Sequence, residues 1–147
     1  MVINNSRVDL KHGGSFMLKK LEKEFKECFL DIAQMLMISD GDSHITEKEL
    51  MTAFKKKMGV EYYEPKTQSN DYIISTLSPA SISDKKKIIF ELAALAMIDN
   101  VYSDKEREIL DNLAEALDIP ASFIQESFNI IDGLKDLYKK SALLVSE

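Results

Sequence analysis

The stretch IIFELAALAMIDNVYSDKEREILDNLAEAL, residues 88–117, decides the fold class of this chain. Its first part, 88–98, is apolar except for Glu91, so a helix there is expected to be buried on most sides, as in the centre of a bundle. An acidic corner follows at 99–106. Apolar residues then return at helical spacing, at Ile109, Leu110, Leu113, Ala114 and Leu117. The stretch therefore predicts two helices joined by an acidic bend.

Helical periodicity continues through most of the remaining sequence. It predicts helices from 15 or 16 to 38, over 47–57, over 83–98, over 104–117 and after Pro120, with a short helix at about 68–77 in the irregular middle. The final stretch fits either one helix or two that are split near Gly133. Period-two strand patterns of useful length are missing. We predict an all-α, compact bundle of about six or seven helices, with 1–15 as a flexible N-terminal extension and 16–147 as a single domain.

Composition narrows the class of protein. The chain has 147 residues, 45% apolar and 30% charged, with a net charge of -6, which fits one globular domain with a core and no nucleic-acid partner. The longest apolar run is shorter than the roughly 20 residues of a membrane span, and the first residues lack the apolar segment of a secretory signal. The single cysteine, Cys28, lies on a buried helical stripe and predicts an inert core residue in a reducing, cytoplasmic setting.

The acidic corner occurs twice. DSHITEKE, residues 42–49, aligns with DNVYSDKE, residues 99–106, at a separation of 57 residues (99 − 42). Each copy follows an apolar helix and precedes an amphipathic one, which indicates an internal repeat. We expect the bundle to be built from two similar helix–acidic corner–helix halves.

Each corner contains the pattern of a capping box. Thr46 and Ser103 are placed to cap the following helices, because their hydroxyls would accept a hydrogen bond from the backbone amide three residues on. Glu49 and Glu106 would reach back to the amides of the capping residues. Helix capping alone therefore explains these four residues.

A divalent cation is the alternative interpretation of the same corners. Asp42 and Asp99 lie outside the capping boxes, and together with Glu49 and Glu106 they form a candidate metal-ligand set for a hard cation such as calcium or magnesium. Asp40 is a weaker candidate, because the Asp-Gly pair at 40–41 lies two positions before the place that the repeat, aligned on Glu49, gives it. An EF-hand is not expected, because the positions of its first ligand and its glycine are occupied by other residues. Capping and cation binding both stay open here.

One longer segment carries a family resemblance. LAALAMIDNVYSDKEREILDNLAEALDIPASFIQES, residues 92–127, resembles the tellurite-resistance TerB-like family in its small-residue helix, acidic corner, "LAEAL" helix and proline-started helix. The likeness extends more weakly over about 17–140. It implies an all-α fold of two similar halves, an association with tellurite or general stress resistance, and acidic clusters proposed as metal sites.

Two functional hypotheses follow. The first is a non-enzymatic TerB-like module that binds a divalent cation at its acidic corners and couples it to a partner protein. The second is a purely structural protein-interaction scaffold whose acidic corners are helix caps. No enzyme is predicted, because Cys28 lies in the core pattern, His12 lies in the N-terminal extension, and no glycine-rich phosphate loop is present. The expected partner is a protein, and the sequence leaves open whether the chain forms a homo-oligomer.

Overall fold

Six α-helices form the part of the chain that the structure describes. The computed structural model describes residues 15–39, 45–97 and 103–146. A short 3-10 helix, Ser15–Leu18, is followed by α1 (Lys23–Ser39), α2 (Ile45–Met58), α3 (Asn70–Leu77), α4 (Ile82–Ala96), α5 (Asp104–Ala116) and α6 (Ala121–Val145). These ranges contain no strand. The predicted all-α class and compact helical bundle are confirmed.

Helix α4 lies at the centre of the bundle. It packs against α1, α5, α6 and the 3-10 helix. From Ile88 to Ala96 every residue is buried except Phe90, which is half-buried. An apolar sequence on nearly all sides makes this the only stable place for the helix, since exposing any face would leave large side chains in water.

Helix α1 supplies the second wall of the core, along the stripe that the sequence predicts. Its buried apolar residues include Phe25, Cys28, Phe29, Ile32 and Leu36. The expected start at 15 or 16 is wrong, because a turn at 19–22 separates the 3-10 helix from α1. Leu18 before this turn and Leu21 within it are both buried, so the apolar spacing continues through the break and conceals it.

Glycine and serine residues set the boundaries of the irregular middle segment. Gly59 ends α2 with a φ of +74°, a left-handed conformation that glycine adopts without steric cost. The Nζ of Lys26 on α1 also donates to the carbonyl of Met58, at 2.9 Å. After an irregular stretch, the Oγ of Ser69 accepts from the amide of Tyr72 at 3.1 Å and caps α3.

Helix α6 is a single helix that runs without interruption through Gly133. Its first half packs on the bundle through Ile124, Ser127, Phe128 and Ile131, which are all buried. Residues 136–146 are all exposed, so the second half extends past the bundle by about 15 Å at the usual helical rise. Among the described residues, no helix is long and apolar enough to span a bilayer.

Candidate functional site

The first acidic corner lies largely outside the described residues. Asp40 and Asp42 fall in the undescribed range, and so does the side chain of Thr46, although its backbone lies in the first turn of α2. Glu49 follows on the same helix with an exposed side chain. The cation and capping hypotheses for this corner therefore stay predictions.

The second corner contains a complete capping box at the start of α5. The amide of Glu106 donates to the Oγ of Ser103 at 3.1 Å, and the amide of Ser103 donates to Oε1 of Glu106 at 2.9 Å. Glu106 is only 6% exposed. Asp99, the fourth proposed metal ligand, is undescribed, and the described residues hold no group of three His, Cys, Asp or Glu side chains able to bind a metal ion.

Asp31 is a buried carboxylate that joins α1 to the irregular middle segment. The hydroxyl of Tyr63 donates to its two oxygens at 2.8 and 2.9 Å. The amide of Lys66 donates at 2.8 Å, and the side-chain amide of Gln68 donates at 3.2 Å. The carboxylate is 1% exposed. With its oxygens occupied by these donors, Asp31 acts as a structural anchor for residues 63–68.

Glu91 is another buried carboxyl group, and its surroundings are the opposite of those of Asp31. It is 1% exposed, and neither of its oxygens has a hydrogen-bond partner among the described residues. Burial raises the pKa of Glu91 to about 8, although the charge of Lys57 acts to lower it. The group is therefore mostly protonated at neutral pH, since an unpaired charge inside an apolar core is strongly disfavoured.

Cys28 has the environment of an unreactive core thiol. It is 2% exposed on α1. Burial, and secondarily the negative charge of Asp31, raise the pKa of Cys28 to about 12. Because the thiolate is the nucleophile, this side chain has little reactivity at neutral pH.

Sequence patterns alone did not single out Asp31 or Glu91 as buried groups. Both residues stand on the apolar face of a predicted core helix: Asp31 lies between Cys28 and Ile32, and Glu91 interrupts the apolar run of α4. The available signal is an acidic residue on the apolar face of a predicted core helix. It indicates a buried carboxyl group but does not show whether a partner is present.

An open apolar groove lies where α4 meets the start of α6 and the 3-10 helix. It has a volume of about 430 Å³, within the range of roughly 300–1,000 Å³ that is common for ligand pockets. Its lining consists of Met17, Ile82, Ser83, Lys86, Lys87, Phe90 and Phe123. Met17 is 45% exposed and Ile82 is 53% exposed. Neither Glu49 nor Glu106 belongs to this lining, and Asp40, Asp42 and Asp99 lie outside the described residues.

The charge of the groove differs in sign from that of the whole chain. The chain has a net charge of -6, yet the described part of the lining contains two lysines and no acid. The Nζ of Lys86 lies 5.6 Å from the centroid of the Phe123 ring, a cation–π contact. The Nζ of Lys87 lies 3.8 Å from Oδ1 of Asp84, which precedes it by one turn of α4. Because both side chains are partly exposed, this ion pair holds Lys87 weakly.

Comparisons with known proteins give no match. No family model matches the chain, and no curated protein or solved structure is significantly similar to it. The resemblance to the TerB-like family therefore rests on the residues of the sequence, mainly 92–127, and stays a prediction.

Proposed function

We propose that this chain is a non-enzymatic helical module that binds a partner protein in the groove between α4 and α6. The observation that carries the proposal is the groove itself, in which exposed Met17 and Ile82 and half-buried Phe90 and Phe123 form one apolar surface. Apolar surface that stays exposed at the edge of a packed core is typical of protein contact sites. Lys86 and Lys87, which form the lysine rim of the groove, add charged groups that can orient a partner.

The TerB-like architecture of two similar halves is part of the same proposal. In its support, α1 ends at Ser39 and α4 ends at Ala96, a separation of 57 residues (96 − 39) that equals the separation of Asp42 and Asp99. Each of these core helices is followed by a corner and then by an amphipathic helix. By resemblance, the module would serve in tellurite or general stress resistance.

Capping is the interpretation of the second acidic corner that the described geometry supports, and we extend it to the first. The capping box of α5 uses both Ser103 and Glu106, and it requires no cation. Cation binding remains the alternative function, with Asp42 and Asp99 as the residues that distinguish the two. A calcium or magnesium ion there would couple the corner to partner binding.

A thermal titration separates these alternatives. The purified chain is titrated with Ca²⁺, Mg²⁺ and Mn²⁺ while the melting temperature is followed, because a ligand specific for the native state raises that temperature. We expect no rise. A rise that is lost in the Asp42→Asn/Asp99→Asn variant, and kept in the matched Asp132→Asn/Asp136→Asn variant on exposed positions of α6, would establish the cation function instead.

Site-specific crosslinking tests the groove as the docking surface. A photoreactive amino acid is placed at Ile82, which is 53% exposed in the groove, or at Ile130, which is 57% exposed on α6. We expect a discrete protein adduct in cells from position 82 and none of the same mass from position 130. Identical adducts from both positions, or none from position 82, would contradict the proposed docking site.

A further inference from the structure

We infer that the occupant of the groove is an acidic amphipathic helix of a partner protein, with apolar side chains that fill the groove and carboxylates that meet Lys86 and Lys87. This inference rests on the proposed function and adds the chemistry of the partner. Three observations support it: the sign of the rim charge, the shape of the floor, and the length of the surface.

The rim charge favours an anionic partner. Lys86 is exposed and Lys87 is partly exposed, and among the described residues no acid lines the groove. Asp84 pairs with Lys87 only weakly, at 3.8 Å and with both side chains partly exposed. Two further exposed lysines, Lys19 and Lys20, follow Leu18 at the end of the 3-10 helix that supplies Met17. Carboxylates of a partner would lie well within the screening length of about 10 Å at 0.1 M salt. A basic partner would meet two like charges at this rim, which Asp84 offsets in part.

The shape of the floor favours a helix. Along α4 the lining residues are Ile82, Ser83, Lys86, Lys87 and Phe90. They recur at the spacing of one helical face and span about 12 Å, or slightly more than two turns. Phe123 of α6 forms the opposite wall. An open, shallow groove of this length accepts the apolar stripe of a partner helix with anchors at i, i+3 or i+4, and i+7.

An anionic bilayer is the competing source of negative charge, and the geometry disfavours it. The aromatic side chains of the groove, Phe90 and Phe123, are both half-buried, so they are recessed between two helices. A bilayer surface is engaged by apolar side chains that protrude from a polar face. The exposed Met17 and Ile82 are open to either occupant, but only a helix that enters between α4 and α6 also reaches the half-buried Phe90 and Phe123.

A peptide-display selection tests the inference, with the full chain as bait and a library of random helical peptides of about 15 residues as the probe. We expect the enriched peptides to be acidic, with apolar residues at helical spacing. Their binding, measured by fluorescence polarisation, is expected to weaken about tenfold or more in Lys86→Glu/Lys87→Glu, where two attractive rim contacts become repulsive. Ile82→Ser should also weaken binding, since it removes an exposed apolar contact with little effect on folding.

The matched control is Lys139→Glu/Lys140→Glu, which makes the same change in net charge at two exposed neighbours on α6. This variant should retain wild-type affinity for the selected peptides. Binding should also weaken as sodium chloride rises from about 0.05 M to about 0.5 M, because screening shortens the reach of the lysines.

Several outcomes would overturn the inference. These are a selection that enriches nothing, enriched peptides that are neutral or basic, and equal loss of affinity in both charge-reversed variants. Lysine-dependent sedimentation with phosphatidylserine vesicles, without peptide binding, would assign the groove to a membrane instead. If the crosslink at position 82 persists in Lys86→Glu/Lys87→Glu, the proposed docking site stands and only the acidic partner is rejected.

Discussion

The buried, unpartnered carboxyl group of Glu91 makes the stability of this protein depend on pH. Replacing it with glutamine removes the titrating group while keeping the size and polarity of the side chain. The pKa of Glu91 is raised from 4.5 to about 8, chiefly by burial. The folded chain therefore binds more protons than the unfolded chain between these pH values, and its free energy of unfolding falls as pH rises through that window.

The size of the effect follows from the two pKa values. A tenfold difference in proton affinity between the folded and unfolded states corresponds to about 1.4 kcal/mol. Across the whole window the ionisation of Glu91 should cost on the order of 5 kcal/mol, a large part of the 5–15 kcal/mol that is typical of a domain. At about pH 7 the loss should already be on the order of 3 kcal/mol.

Urea unfolding followed by circular dichroism measures this dependence. The informative quantity is the difference in unfolding free energy between Glu91→Gln and the wild type, because titration of all other groups cancels in it. We expect this difference to grow in favour of the variant by about 1.4 kcal/mol per pH unit between about pH 5 and about pH 8. Glu115→Gln, an exposed position on α5, provides the matched control, and its difference from wild type should stay flat.

A difference for Glu91→Gln that stays constant across this pH range would refute the reasoning. It would mean that the carboxyl group has the same proton affinity in the folded and unfolded states, and hence that water or a cation reaches it. Lys57→Met tests the electrostatic part separately. Removing the charge that lowers the pKa of Glu91 should extend the pH-dependent loss to higher pH.

Three further predictions concern the hydrogen-bond network of Asp31, the cap of α5 and the thiol of Cys28. Asp31→Asn should lower the unfolding free energy by about 2–4 kcal/mol, because buried donors lose their anionic acceptor. Tyr63→Phe removes one of these donors and should lower it by about 1–2 kcal/mol. Negligible losses for both variants in urea unfolding would show that the network is not structural. Ser103→Ala should cost about 1 kcal/mol through loss of the cap, measured in the same way, and an unchanged midpoint would argue against the cap. Cys28 should react with a thiol reagent only at the rate of unfolding, and rapid modification of the native chain would contradict its burial.

The sequence was sufficient to predict features that depend on local spacing. The all-α class follows from apolar residues that recur with a helical period, and the central place of α4 follows from a segment that is apolar on most sides. The end of α2 at Gly59 follows from glycine's tolerance of a positive φ. In each case the physical cause acts within a few residues, so neighbouring positions in the sequence contain the information.

The tertiary structure decided features that depend on what packs against a helix. Spacing did not reveal the turn at 19–22, because the buried stripe continues across it, and it left open whether Gly133 interrupts α6. Asp31 and Glu91 are both acids on core faces of their helices, yet donors from residues 63–68 surround the first and no donor of the described residues reaches the second. The groove likewise combines side chains from the 3-10 helix, α4 and α6. Burial, pairing and charge environment are set by residues that are distant in the chain, and only folding brings them together.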